Sequence, residues 1–271
     1  MYSLLFVGTL CANFVSTICF IIWGTNKKNK TSKVALFSAV LSLVLLSCAL
    51  IARAFLCGFP PMSSLYESLV LFTWAIVFIF LVLEYRYKFR IIGVFVMPLA
   101  FLILFYAALL DNTVKPLIPA LQSWWLVIHV LSCFFGYACF ACAFCLGIMF
   151  LLQERQVKTK HTGKIFERFP SLGVMDKINY DMVKIGFVFL TLGIITGSIW
   201  AQHAWGNWWS WDPKETWSLI TWLVYAAYLH ARFNSGWQGR KMAILSIAGF
   251  MVVLFTYLGV SFLLPGLHSY L

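Results

Sequence analysis

The chain alternates long apolar runs with short segments that carry nearly all of its charge. A transmembrane helix needs about 20 predominantly apolar residues, whereas a barrel strand needs only about ten. Eight runs approach the helical length, so the pattern predicts eight membrane-spanning helices. The predicted spans are Ser3–Trp23, Val34–Ala54, Tyr66–Leu83, Ile91–Leu110, Trp124–Leu152, Ile185–Ala201, Thr216–Ala231 and Met242–Leu264.

The composition agrees with a membrane protein. Of 271 residues, 62% are hydrophobic and 11% are charged, against about 45–50% and about 25% in soluble domains. Eight spans leave no length for a second, soluble domain. We therefore predict an all-α integral membrane protein with one polytopic domain over residues 1–271, its first four spans within 1–123. The first span lacks the charged start and cleavage site of a signal peptide, so we expect a retained helix.

Basic residues are concentrated in alternate connections between the predicted spans. The segments after the first, third, fifth and seventh spans hold 17 of the 20 lysines and arginines, and the other three are Arg53, Lys115 and Lys214. Basic loops stay on the cytoplasmic side or its equivalent, which predicts that both termini lie on the outer, periplasmic or lumenal, side. This topology and anionic lipid account for the net charge of +11, so we predict no nucleic-acid binding.

The connection between the sixth and seventh spans is rich in tryptophan. It reads WAQHAWGNWWSWDPKETW from Trp200 to Trp217 and holds six of the 12 tryptophans. An interfacial belt would spread its tryptophans over many spans, so the concentration favours a binding surface. If the stretch before Asp212 is helical, Trp205, Trp208 and Trp209 share one face, and Gly206 lets a ligand approach the backbone. Such a flat surface suits porphyrin, with quinone, sterol or a partner helix as alternatives.

The end of this segment predicts the start of the seventh helix. Asp212 precedes Pro213, and Glu215 follows three residues after Asp212. An acidic N-cap, a proline in the first turn and an acid that reaches back are typical of a capping box. DPKE therefore predicts a helix N-terminus, a role that is compatible with ligand binding nearby.

Two histidines favour heme as the ligand. His129 lies near the outer end of the fifth span, and His268 lies in the outward C-terminal tail. Two imidazoles beside an aromatic surface can form a bis-axial heme site, with the imidazoles on the iron and the indoles against the ring. The alternative is a structural, hydrogen-bonded role for each histidine. His203 is a rival axial ligand, and His161 in a basic loop is predicted to be solvated.

His230 lies near the inner end of the seventh span, 18 residues after Asp212, or about 27 Å along a helix. It therefore cannot share a metal with His129. An ionisable residue within a span is a functional candidate, so His230 could bind a second heme whose other ligand comes from another subunit. A histidine that reaches the interface is the alternative.

The C-x-x-C pairs formed by Cys139, Cys142 and Cys145 favour buried packing thiols over a thiol relay or a metal site.

The motif resembles a known family. WGNWWSWDPKETW resembles the tryptophan-rich WWD motif of heme-handling proteins, and the DPKETW ending and GLHSY tail are similar to the CcsA/ResC family. This family serves system II cytochrome c biogenesis in bacteria and chloroplasts. The resemblance runs from about Trp124 to the end of the chain, which makes 124–271 the heme-handling half. It implies a cytochrome c synthase subunit that carries heme b outward and joins its vinyl groups to the thiols of a C-x-x-C-H apocytochrome c.

The resemblance also implies roles for residues and partners. His129 and His268 match the outer heme ligands, and His230 matches a transmembrane ligand whose partner histidine comes from a CcsB/ResB subunit. The motif residues expected to hold heme are Trp205, Gly206, Trp208, Trp209, Trp211 and Asp212. The expected partners are the CcsB/ResB-like subunit, apocytochrome c and a thiol-reducing thioredoxin-like protein. No protein nucleophile is expected.

The location and two other functions follow from the same features. The family implies the bacterial cytoplasmic membrane, with the chloroplast thylakoid membrane as the alternative. A heme- or quinone-binding electron-transfer subunit would favour paired histidines on facing spans. A transporter of another amphiphile would favour internal repeats and broken helices. Neither pattern is evident in the sequence.

Overall fold

The computed structural model describes residues 2–25, 29–114, 119–160, 168–264 and 266. Its main helices are α1 (Tyr2–Thr25), α2 (Asn29–Cys57), α3 (Leu65–Tyr87), α4 (Gly93–Ala108), α5 (Trp124–Thr159), α6 (Leu172–Trp205), α7 (Pro213–Phe233) and α8 (Arg240–Leu254). A π-helical segment, Phe255–Gly259, joins α8 to the short α9, Val260–Leu263. No strand occurs in these residues, and the all-α prediction is confirmed there.

Within the described ranges, seven helices are long and apolar enough to cross a membrane. They are α1 to α6 and the continuous run Arg240–Leu263. The predicted seventh span, Thr216–Ala231, forms most of α7 but is not among the seven. Charged residues at both ends of α7 shorten its apolar stretch. The membrane character of the chain is thus confirmed, while the count of eight spans stays a prediction.

The chain divides into two compact units. The first comprises Met1–Pro116 and Leu152–Ser171, and the second comprises Leu117–Leu151 and Leu172–Leu271. In the first unit, small polar side chains join α1 to α2. Asn13 Nδ2 donates to Ser42 Oγ (3.3 Å), and Ser16 Oγ donates to the Ala35 carbonyl (2.8 Å). Such bonds hold apolar helices together where the hydrophobic effect does not.

In the second unit, one buried amide connects four helices. Asn179 of α6 donates from Nδ2 to the Ala143 carbonyl of α5 (2.8 Å) and to Ser246 Oγ of α8 (3.0 Å). Its Oδ1 accepts a hydrogen bond from the hydroxyl of Tyr228 in α7 (2.8 Å). Because each polar atom of this amide has a partner, its burial is not penalised. The network fixes the register of the helices that carry the candidate site.

Candidate functional site

The His129 imidazole is held by α6. Its Nδ1–H donates to the Gly193 carbonyl (2.6 Å), and its ring stacks on Trp200 with centroids 6.3 Å apart and planes 15° from parallel. Gly197 makes room for the ring, because a Cβ there would lie 2.5 Å from His129 Nδ1. With the proton on Nδ1, the lone pair of Nε2 is available. Metal-binding histidines commonly show this arrangement.

Trp200 supports this histidine from inside the protein. The sequence prediction counted Trp200 both at the end of the sixth span and at the start of the tryptophan-rich segment. The structure places it within α6, where it is 2% exposed. Its Nε1 donates to the Ala120 carbonyl (2.9 Å), and Trp205 packs against it with centroids 4.7 Å apart. Trp200 is therefore a rigid support under His129 rather than a surface tryptophan.

The connection between α6 and α7 is the segment Gly206–Asp212, named here the tryptophan loop. It is not helical, so the expected helical face of Trp205, Trp208 and Trp209 is wrong. Gly206 ends α6 because it adopts φ +77°, and its N–H donates to the Gln202 carbonyl (3.0 Å). Only Trp205 is therefore part of the helix.

The tryptophan loop exposes two indoles. Trp208 is 57% exposed and Trp211 is 68% exposed, and Trp211 has a positive φ of 59°. Trp209 is half-buried and meets Trp211 edge to face, with centroids 5.8 Å apart. An irregular loop thus presents flat aromatic surface to the outside of the second unit. The pattern of tryptophans indicated the surface but not its conformation.

The predicted capping box at the start of α7 is confirmed. Asp212 Oδ1 accepts from the Lys214 backbone N–H (2.9 Å). Glu215 Oε2 accepts from the backbone N–H of Ser210 (2.7 Å) and of Asp212 (3.3 Å), and from the Ser210 hydroxyl (3.1 Å). Both carboxylates are buried. Glu215 therefore fixes the end of the tryptophan loop as well as the helix start.

The start of α7 also contacts the C-terminal region. The Lys214 ammonium donates to Ser261 Oγ in α9 (2.7 Å), and it lies close enough to His129 to interact electrostatically. Gly266 lies against Asp212 Oδ2, and a Cβ there would be 3.1 Å from Pro213 Cδ. The predicted ligand His268 and the predicted loop residue His161 lie outside the described residues.

The two other candidate histidines are exposed. His230, in the last turn of α7, accepts a hydrogen bond at Nδ1 from Asn234 Nδ2 (3.0 Å). His203, in the last turn of α6, donates from Nδ1 to the Ile199 carbonyl (2.8 Å). Among the described residues, no group of three or more His, Cys, Asp or Glu side chains could hold a metal ion.

The cysteines of the C-x-x-C patterns lie inside the second unit. Cys139, Cys142 and Cys145 are buried and free.

Sequence reasoning missed the residues that orient His129. Gly193, Gly197 and Trp200 recur at helical spacing along α6, but the sequence does not show which helix that stripe contacts.

Comparison with known proteins identifies the family. Residues 62–268 match the family model of the cytochrome c assembly proteins. The CcsA cytochrome c biogenesis protein of Trieres chinensis is 38% identical over 289 residues, covering 95% of this chain and 93% of its own. The CcsA protein of Prochlorococcus marinus (strain AS9601) is 41% identical over 267 residues, covering 90% and 86%.

A solved structure shares the fold. The cytochrome c heme lyase CcmF matches with a TM-score of 0.68 and 16% identity, over 95% of this chain and 46% of the CcmF chain. This chain thus spans about half the length of that protein. The chain belongs to the cytochrome c assembly protein family. Within that family it groups with the CcsA proteins, and the process that it serves is cytochrome c biogenesis.

Proposed function

We propose that the chain carries heme b across the membrane and presents it on the outer side for attachment to apocytochrome c. The observation that carries this proposal is the His129 imidazole. Its Nδ1 proton is committed to the Gly193 carbonyl, which leaves Nε2 for an iron ion. The exposed indoles of the tryptophan loop lie in the same unit. Membership of the cytochrome c assembly protein family supports cytochrome c biogenesis as the process that the chain serves.

The proposed topology has eight spans, with α7 as the eighth membrane-crossing helix and both termini outside. The distribution of basic residues supports it, because Arg232, Arg240 and Lys241 lie on the inner side of α7 in this arrangement. In this proposal residues 1–123 supply four spans, and residues 124–271 form the heme-handling half. The host membrane is the bacterial cytoplasmic membrane or the chloroplast thylakoid membrane.

In the proposed outer site, His129 and His268 take the two axial positions of the iron. Gly266, two residues before His268 in the sequence, lies against Asp212 of the tryptophan loop. Heme is proposed to contact Trp205, Gly206, Trp208, Trp209, Trp211 and Asp212. Flat indoles favour the porphyrin face, and Gly206 leaves space beside the backbone, since nothing lies within 4 Å of its Cβ position.

In the proposed inner site, His230 supplies one heme ligand and a CcsB/ResB-like subunit supplies the other. Asn234 decides which nitrogen of His230 carries the proton. When Asn234 donates to Nδ1, Nε2 is protonated. When the amide turns, its oxygen accepts from Nδ1–H and Nε2 becomes a ligand. The orientation of the Asn234 amide thus determines whether Nε2 of His230 is free to bind iron.

The chain is proposed to act as the heme-binding subunit of a cytochrome c synthase. Bound heme supplies the vinyl groups that receive the thiols of the C-x-x-C-H motif. The residues of this chain hold and orient the substrate, and proximity supplies most of the rate. A thioredoxin-like protein would keep the apocytochrome thiols reduced. The proposal requires no nucleophile from this chain.

Holocytochrome formation tests the proposal. The chain is expressed with its CcsB/ResB-like partner and a C-x-x-C-H apocytochrome, and covalent heme is detected in the denatured cytochrome. His129→Ala and His230→Ala should each abolish it. His203→Ala is the matched control, because His203 is an exposed histidine in the last turn of a helix, as His230 is, but belongs to neither proposed heme site. Normal attachment in both His129→Ala and His230→Ala would contradict the proposal.

A further inference from the structure

The Lys214 ammonium is attracted by the nearby Asp212 carboxylate but forms no ion pair with it. The ammonium donates to the Ser261 hydroxyl (2.7 Å), which is its one hydrogen-bond partner in the described part of the chain. No carboxylate in those residues forms an ion pair with it. An ammonium has three donors, and Lys214 is partly buried. A partly buried ammonium with one neutral partner has unused capacity for an anion.

Arg53 differs from Lys214 in its contacts. Arg53 is also a basic residue on the predicted outer side, and it is buried. Its Nε donates to Glu67 Oε1 (3.0 Å), and one of its terminal nitrogens donates to the Asn112 carbonyl (2.7 Å). The charge of Arg53 is therefore neutralised within the first unit. Lys115, the third such residue, lies outside the described ranges.

The surroundings of Lys214 favour an incoming carboxylate. Lys214 lies in the first turn of α7, where the helix dipole is positive. The adjoining tryptophan loop holds a second donor, because Trp209 Nε1 is buried and has no hydrogen-bond partner among the described residues. The Glu215 carboxylate is occupied by backbone N–H groups. The Asp212 carboxylate accepts from the Lys214 backbone N–H and attracts the Lys214 ammonium without forming an ion pair. His129 lies within electrostatic range of Lys214.

We propose that the Lys214 ammonium binds a propionate carboxylate of the heme held at His129. This inference rests on the function proposed above. Heme carries its two propionates on one edge and its vinyl groups away from that edge. A propionate held at Lys214 would therefore fix how the ring is turned in its plane. Lys214 would be a positioning residue that decides where the vinyl groups meet the apocytochrome thiols.

The test compares two ligands on the purified full chain. Heme and heme dimethyl ester, in which both propionates are methylated, are titrated and followed by absorbance. Wild-type protein should bind the ester more weakly than heme. Lys214→Gln should weaken heme binding by about 10- to 100-fold, since a hydrogen bond to a charged group contributes about 1.5–3 kcal/mol. The same variant should bind the ester as wild type does, which also shows that it folds.

Two further variants sharpen the test. Lys214→Arg keeps the charge and should retain most of the preference for heme over its ester. Ser261→Ala removes only the present partner of the ammonium and should bind heme at least as well as wild type. Equal affinity of wild-type protein for heme and its ester would overturn the inference and leave the heme site standing. So would equal weakening of both ligands, or of neither, in Lys214→Gln. Failure of wild-type protein to bind either ligand would instead overturn the proposed function.

Discussion

At the scale of single residues, the setting of His129 combines three contacts from one helix. The Gly193 carbonyl fixes the tautomer, Trp200 fixes the ring plane, and Gly197 provides the space. Each contact acts on the imidazole and none uses Nε2. Groups that hydrogen-bond to or pack against a metal-binding histidine set its orientation and basicity. Gly197 should therefore affect the affinity for heme, although it has no side chain that could contact heme.

Gly197→Ala tests this point. A Cβ at this position would lie 2.5 Å from His129 Nδ1 and 2.7 Å from Cε1, so the ring must move and its bond to Gly193 weakens. We expect heme affinity to fall by about 10- to 100-fold, with a shifted Soret band. Gly173→Ala in the same helix is the control, because nothing lies within 4 Å of its Cβ position. An unchanged spectrum and affinity in Gly197→Ala would show that the glycine is not needed.

Residue types in the sequence pointed to His129 and the tryptophans as candidates but not to the glycines that orient the imidazole. The reason is physical: a histidine and a tryptophan carry recognisable chemistry, whereas a glycine acts only through what its missing side chain admits. Gly193 and Gly197 gain a role when α6 faces α5, and that contact is a property of packing. The inward position of Trp200 was missed for the same reason.

At the scale of elements, the sequence indicated where the helices are more securely than where they end. The apolar runs predicted each main helix, but α5 continues to Thr159 and α6 begins at Leu172, well outside the predicted spans. Charged residues at those ends mark the limit of the apolar stretch and do not stop a helix. The start of α7 was predicted correctly because a capping box is a local signal.

Glu215 tests how the start of α7 holds the tryptophan loop. Glu215→Ala removes an acceptor shared by two backbone N–H groups and the Ser210 hydroxyl. Leaving these donors unpaired should cost about 1–3 kcal/mol of stability, read as a lower midpoint of thermal unfolding in detergent. Glu215→Gln keeps one side-chain oxygen and should lose less. Equal midpoints for wild type and Glu215→Ala would show that the carboxylate does not stabilise this region.

At the scale of the whole molecule, the central question is whether α7 crosses the membrane. Because its ends are polar, α7 does not count among the seven helices of the described residues that are long and apolar enough to cross a membrane. The alternation of basic loops, by contrast, predicts an eighth crossing. A crossing would separate His129 from His230, as the proposed transport of heme requires. The sequence predicted eight spans from the apolar runs and their orientation from the basic loops, whereas α7 falls outside those seven helices of the described residues.

Reporter fusions decide the topology. Alkaline phosphatase, which is active only outside the cytoplasm, is fused after Asn207 in the tryptophan loop and after Ser235 beyond α7. We expect activity from the first fusion and none from the second. A fusion after Lys88, in a basic connection, is the inactive control. Similar activity after Asn207 and Ser235 would mean that α7 does not span, and the proposed heme route would fail with it.

The absorbance spectrum of the purified chain with its CcsB/ResB-like partner, loaded with heme, shows whether His129 is an axial ligand of heme. We expect a Soret band and the α and β bands of a bis-histidine heme. His129→Ala should lose or shift these bands, whereas His203→Ala should not. A wild-type protein that stays colourless, or a His129→Ala spectrum identical to wild type, would contradict the claim that His129 is an axial ligand of heme.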